Sequence, residues 1–214
     1  MAPTSSITPP RDRSRSSTGR ALTGRLAGLA SFSTLVAISL AVCGVSWSQS
    51  ELSPAAQSEI EASFVYTLAK FVKWPTQAFG SNDSPIIFCA LGDGSFGSAL
   101  ERQVRGKTIS GRVLSYRGLT RAQDLETCHV LVLGDSSPDE LQVILGRLSG
   151  TSVMTVCNEE GFARLGGIVG LRLNQGMVQA EINIAMARRG GLQISSRFLN
   201  LSGIVKVRTH SGGD

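Results

Sequence analysis

Ile60, Phe64, Leu68 and Phe71 recur at spacings of four, four and three, which gathers them on one face of a helix. Glu59, Glu61, Lys70 and Lys73 largely avoid that face. Ser53-Pro54 supplies a hydroxyl for the N-cap and a proline for the first helical position. Trp74-Pro75 is the expected stop, because proline disfavours the helical conformation in the residue before it. A polar loop follows over residues 76–84.

The pattern then alternates between short apolar runs and helical stretches. Residues 86–91 read as a buried strand, 96–104 as a helix, 113–116 as a strand and 121–127 as a linking turn or helix. Residues 129–133 form a second fully apolar run. Ser136-Ser137-Pro138-Asp139-Glu140 is a cap, proline and acid series that introduces a helix through Leu148, and residues 153–157 form another strand. Continuous apolar runs between helices predict an α/β domain with a mostly parallel sheet, flanked by helices on both faces. Residues 168–173 and 178–182, joined through Asn174-Gln175-Gly176, read as a C-terminal hairpin. A helical pair over 184–189 and 197–206 closes the domain, interrupted by Gly190-Gly191 and a short segment at 192–194. There are no internal repeats, and one domain is expected over residues 49–208 with a frayed tail at 209–214.

The start of the chain is different in kind. Arg11, Arg13, Arg15, Arg20 and Arg25 lie in a Ser/Pro/Thr-rich stretch, and residues 26–50 then hold no charge. A basic start, an apolar span and small residues have the layout of a secretory signal over residues 1–48, with Ser46-Trp47-Ser48 favouring cleavage before Gln49. The alternatives are an uncleaved anchor through residues 26–45 or a lipidated Cys43, against which Val42 is bulky where a small residue is expected. Each of these places the domain outside the cytoplasm, with the periplasm as the expected compartment. The pI of about 9.4 belongs mostly to this leader. From Gln49 on, sixteen bases face fifteen acids, so no nucleic-acid or polybasic membrane partner follows from composition.

Gly92-Asp93-Gly94-Ser95-Phe96-Gly97 matches the glycine pattern of dinucleotide folds in the right strand–turn–helix context. Such folds place an acid near the end of the next strand to hold ribose, and Ser115-Tyr116-Arg117-Gly118 offers none. The glycines therefore read as a tight turn, and no cofactor is expected; an anion at the helix N-terminus is the alternative. Nor do the residues point to catalysis or to a metal. His129 and His210 are the two histidines, no nucleophile elbow or HExxH motif occurs, and Cys128-His129 would point to opposite faces of a strand.

Beyond the leader there are three cysteines. Cys89 and Cys128 fall in strands that can be neighbours, which makes a disulfide between them geometrically reasonable in an oxidising compartment. Cys157 is then the odd one, to be buried and inert, exposed and reactive, or linked to another chain. No C-x-x-C is present to support a redox enzyme. Arg188 and Arg189 suit the last turn of a helix that Gly190-Gly191 terminates. Arg197 stands in the first turn of the next helix, where a cation is unusual, so Arg188, Arg189 and Arg197 are candidates for binding an anion or an acidic partner.

Several segments, taken in order, resemble the YfiR/HmsC-type periplasmic regulators. They are the run from Phe64 to Pro75 (FVYTLAKFVKWP), Ile87 to Asp93 with Phe96-Gly97, Cys128-His129-Val130-Leu131, Gly161-Phe162 with Gly166-Gly167, Glu181-Ile182-Asn183, and the run from Ala187 to Ser196 (ARRGGLQISS). The resemblance spans residues 59–205. It implies a non-enzymatic α/β protein that binds the periplasmic sensory domain of an inner-membrane diguanylate cyclase and represses cyclic di-GMP synthesis. Release, through an OmpA-like outer-membrane lipoprotein or a redox change, would favour biofilm growth. It also implies a Cys89–Cys128 disulfide and a homodimer, for which Phe71, Val72 and Trp74 are the candidate contact. Cys157 stands alone where some members carry a second late pair, and Gly94-Ser95 departs from the usual Asp-Pro, which does not favour cofactor binding. The competing expectation is a periplasmic small-solute or anion-binding module built on the glycine turn or the start of the Arg197 helix.

Overall fold

A computed structural model describes residues 52–207 apart from Asp93, Gln123, Asp135 and Ser202. The expected leader over 1–48, its cleavage point and the tail at 209–214 lie outside the described residues. Among the described residues no helix is long and apolar enough to cross a membrane.

Helix α1 (Pro54–Ala69) starts as its sequence requires, with the Ser53 hydroxyl accepting from the Ala56 N–H at 3.3 Å. It stops at Lys70, short of Trp74-Pro75, because Val72 and Lys73 leave the helix to form strand β1 (Val72–Lys73). Here a tertiary strand pairing overrides the local helical pattern. The buried face is also rotated from the expected one: Ser58, Glu61, Ala62, Val65, Leu68 and Ala69 turn inward. Small side chains let α1 lie close to its neighbours, while Phe64 and Phe71 sit half-buried at the rim with their rings 5.7 and 5.3 Å from Phe198.

Among the described residues, eight strands form the main sheet. Strands β2 (Ile86–Leu91), β4 (Arg112–Leu119), β5 (Val130–Leu133) and β6 (Met154–Cys157) run parallel, and β7 (Val169–Asn174) joins β6 in the same sense. Strand β8 (Met177–Asn183) returns antiparallel to β7 through Gln175 and Gly176, whose φ values of 50° and 76° suit a two-residue hairpin turn. A short β3 (Thr108–Ile109) lies antiparallel on β4 at one edge, and β10 (Ile204–Val207) lies parallel to β8 at the other. The order is β10-β8-β7-β6-β5-β2-β4-β3. Strand β4 runs longer than its apolar core suggests because it pairs with β2 along that strand's whole length, from Ile86↔Leu114 to Leu91↔Leu119.

Side-chain alternation sends the strands' residues into two cores. Phe88, Ala90, Val130, Val132 and Val156 join α1 and α2 (Ser95–Val104) on one side. Cys89, Leu131, Leu133 and Cys157 join Phe162 and α3 (Pro138–Leu148) on the other. Helix α3 carries the anticipated capping box, with Ser137 and Glu140 bonding to each other's backbone N–H. The C-terminal helical pair is α4 (Ile184–Arg189) and α5 (Ser196–Leu199), separated by β9 (Gln193–Ile194). The second helix is a single turn and does not reach Lys206. The β-branched run Ile204-Val205 with Val207 instead takes the open edge of β8, where its backbone groups find partners.

Glu61 is the departure from the expected polar face with an energetic consequence. It is 6% exposed, and no hydrogen bond or ion pair reaches its carboxylate among the described residues. Burial pushes its pKa up from 4.5. A carboxyl group held above its unfolded value contributes stability that is complete below 4.5 and is lost as pH rises through the folded pKa. Glu61→Gln is therefore expected to stabilise the fold at neutral pH by about 1 kcal/mol, because the amide carries no charge to desolvate. Urea unfolding at neutral and mildly acid pH checks this, the gain shrinking as pH falls.

Candidate functional site

The chain passes from β2 through α2 to β4 on one side, then crosses to β5 on the other. That reversal opens a cleft at the carboxyl ends of β2, β4 and β5, the place where open α/β sheets bind ligands. Two adjoining cavities of about 500 and 580 Å³ occupy it and share Gly92 and Thr120. The first is lined by Ser95, Ser98 and Tyr116; the second has Arg121, Asp139 and Glu140 beside Val143 and Ile144. Each glycine of the motif has a local reason to be glycine or a plain structural place. Gly92 turns the chain with φ 97°, and Gly94 is the extended N-cap of α2. A Cβ on Gly97 would stand 2.8 Å from the Tyr116 hydroxyl and 3.0 Å from the Ala90 Cβ, so glycine there lets α2 lie close on the sheet. Ser95 is already tied to α1 through a 2.6 Å hydroxyl contact with Ser58. These geometries account for the motif as helix–strand packing.

The Cys89 and Cys128 sulfurs are bonded, with Cα atoms 5.9 Å apart. β2 and β5 are adjacent and parallel, Phe88 facing Val130, so Cys128 just before β5 meets Cys89 on the α3 side of the sheet. Both are buried. Cys157 lies outside this bridge, fully buried at the end of β6. Its expected alternatives of exposure or a link to another chain do not describe where it sits.

Sequence reasoning weighed His129 only as half of a catalytic pair, and its role is different. Its backbone N–H donates to Ile87 O at 2.8 Å, and its Nδ1 accepts from the Ile87 N–H at 3.1 Å. With Nδ1 accepting, Nε2 carries the proton and donates to Ala78 O at 3.1 Å. The Trp74 indole N–H donates to the His129 carbonyl at 3.2 Å. Phe79 stacks on the imidazole at 4.6 Å, and the Arg112 guanidinium lies 3.7 Å from the Phe79 ring centre while donating to Ser81 and Ser84 carbonyls. Residues 74–84 are lashed to the start of β5 by this stack. The signal available in the sequence was a polar loop with two aromatics and no other anchor, facing a histidine beside a cysteine.

The two sets of sequence-derived binding candidates meet at one end of the molecule. Strand β1 pairs antiparallel with β9, Val72 opposite Ile194 and Lys73 opposite Gln193, and the Ser195 N–H donates to Phe71 O at 2.9 Å. Val72 is buried and Phe71 and Trp74 are half-buried, so these three do not present an exposed apolar face. Arg188, Arg189 and Arg197 are all exposed. Gly191, at φ 74°, ends α4 as the Leu192 N–H reaches back to Ala187 O, and its Cα side abuts Pro75. Because α5 is one turn long, Arg197 stands in its last turn as well as its first, so its charge is not misplaced against the helix dipole.

A family model described as YfiR/HmsC-like matches residues 58–203. No curated protein matches the chain.

Two stability tests follow from this site. Reduction, or Cys89→Ser with Cys128→Ser, removes a cross-link between residues 39 apart and should cost about 4 kcal/mol by the loop-entropy account. Denaturant unfolding with and without reductant measures it. Burial, with a smaller contribution from Arg112, holds the His129 pKa below 6.5 against the opposing Ala78 carbonyl. Its stabilisation is complete above 6.5 and lost as pH falls through the folded pKa. His129→Gln should cost about 2 kcal/mol at neutral pH for two lost hydrogen bonds and should remove that acid slope, read from unfolding midpoints across pH.

Proposed function

The chain belongs to the YfiR/HmsC-like family, and from that membership we propose that it is a periplasmic regulator restraining an inner-membrane diguanylate cyclase. The family match over residues 58–203 is the observation that carries this reading, because it covers nearly the whole α/β domain and ends only at β10. The buried disulfide, which suits an oxidising compartment, supports it further. The role is non-enzymatic: the protein binds the cyclase's periplasmic sensory domain and holds the enzyme in its inactive form. An OmpA-like outer-membrane lipoprotein is the proposed releasing partner, and a homodimer the proposed working form.

The mechanism is linkage. A regulator shifts its target only by the difference between its affinities for the two states. Taking a cyclase from almost wholly active to almost wholly inactive needs a preference of about 10⁴-fold for the inactive state. Tight binding alone does not meet that requirement; the regulator has to contact a surface that differs between the two states.

Deleting the gene in its own host is expected to raise cellular cyclic di-GMP severalfold. The full chain should restore the lower level, and residues 49–214 without the leader should not. Cyclic di-GMP unchanged by the deletion would sink the proposal. A purified domain carrying a small solute in the Gly92–Thr120 cleft would then favour the solute-binding reading.

A further inference from the structure

The carboxylates of this domain are unevenly placed. Residues 62–82 and 182–207 contain no Asp or Glu, although bases and acids from Gln49 on are nearly balanced. The fold takes these two acid-free segments, far apart in sequence, and joins them through the β1–β9 pairing. Their cations collect at that end. Lys73 lies opposite Gln193, both exposed, while Arg188 and Arg189 close α4 and Arg197 sits in α5.

Elsewhere among the described residues the arginines other than Arg121 are engaged. Arg102 pairs with Glu59, Arg105 with Glu101, Arg147 with Glu126, and Arg164 and Arg172 share Glu181. Arg112 holds backbone carbonyls and Arg117 bonds Thr127. Lys73, Arg188, Arg189 and Arg197 have no such partner among the described residues. A carboxylate brought to them would break no existing bridge, so no internal ion pair is sacrificed on association. Three of the four are arginines, whose planar fork matches carboxylates in pairs of hydrogen bonds.

We propose that the β1/β9 end, with Lys73, Arg188, Arg189 and Arg197, is the face that docks a protein partner, and that the partner's complementary surface is rich in carboxylates. This rests on the regulator reading and supplies its contact surface, with the cyclase's periplasmic domain as the occupant. A membrane surface fits less well. Lipid binding by a patch this small needs an apolar group to insert, and none of the large exposed apolar residues (Leu52, Val113, Val143, Leu165, Met177, Leu201 and Val205) belongs to β1, β9 or α4. The backbone here is also fixed, by strand pairing on one side and by the His129 stack on the other.

The test is co-purification of a diguanylate cyclase from host membranes on the tagged mature domain, followed by titration of that cyclase's isolated periplasmic domain. Three forms are compared: wild type, R188E/R189E/R197E, and a control, R105E/R117E/R121E, with the same change of net charge at exposed sites elsewhere. Reversing three exposed charge pairs should weaken binding about 100-fold, and the control by no more than about threefold. R188Q/R189Q/R197Q should fall between, and rising salt should weaken the wild type more than the triple variants. Thermal unfolding establishes that each form is folded. Equal losses in the two reversed variants, or none in either, would overturn the docking face while leaving the regulator reading intact. Recovery of no cyclase by the wild type would remove that reading and the face with it. Binding to phosphatidylglycerol vesicles that is abolished only in R188E/R189E/R197E would reassign the face to lipid.

Discussion

His129 uses both ring nitrogens and both backbone groups at once, and the arrangement of one whole end of the molecule follows from it. Its N–H and Nδ1 hold the start of β5 in register with β2, and its Nε2 and carbonyl hold the segment that carries Ala78 and Trp74. That segment leads directly out of β1. With Trp74 fixed over β5, Val72 points inward and Lys73 outward, which sets how β9 pairs and where α4 and α5 emerge. The arrangement needs a neutral imidazole, one nitrogen accepting and the other donating, and burial supplies that protonation state.

The parts of the fold legible in the sequence were those decided by local chemistry. Residues 86–91 are an uninterrupted apolar run and become β2 to the residue, since a strand buried on both faces leaves nothing polar to move its ends. Ser137 and Glu140 cap α3 as their spacing requires, and Gln175-Gly176 makes the hairpin turn. The misread parts were decided by partners distant in sequence. Val72-Lys73 looks like the end of a helix until Gln193-Ile194 is brought beside it. Residues 204–207 look helical until the edge of β8 is open to receive them. The stripe Ile60, Phe64, Leu68, Phe71 has the right period and a shifted phase: Leu68 is buried as expected, while close packing of α1 selects Ala62, Val65 and Ala69 over the larger Ile60, Phe64 and Phe71.

The site divides the same way. The cysteine pair was accessible to reasoning because a doubly wound sheet can set their strands side by side and the family resemblance implies the bridge. The glycine motif was accessible as turn chemistry, although the reason for Gly97 lies in Tyr116 and Ala90 and appears only once β4 is placed beside β2. The joining of the Phe71–Trp74 stretch with the Arg188–Arg197 stretch was not legible. A two-residue pairing leaves almost no periodic trace, and the features that matter there are an absence of acids and a long-range contact.

The two supports of this region act in different ways, and that difference bears on how a redox change could reach a binding surface. A cross-link between Cys89 and Cys128 stabilises mainly by restricting the unfolded chain, so removing it lowers the stability of the whole domain while leaving native contacts in place. The His129 contacts exist only in the folded state and act on one segment, so their loss frees residues 74–84 first. Reduction of the disulfide alone therefore changes how much of the protein is folded before it changes the shape of the β1/β9 end. Protonation of His129 does the reverse: it breaks the Ile87 N–H to Nδ1 bond and loosens the strap that fixes β1 while the disulfide still holds β2 to the start of β5.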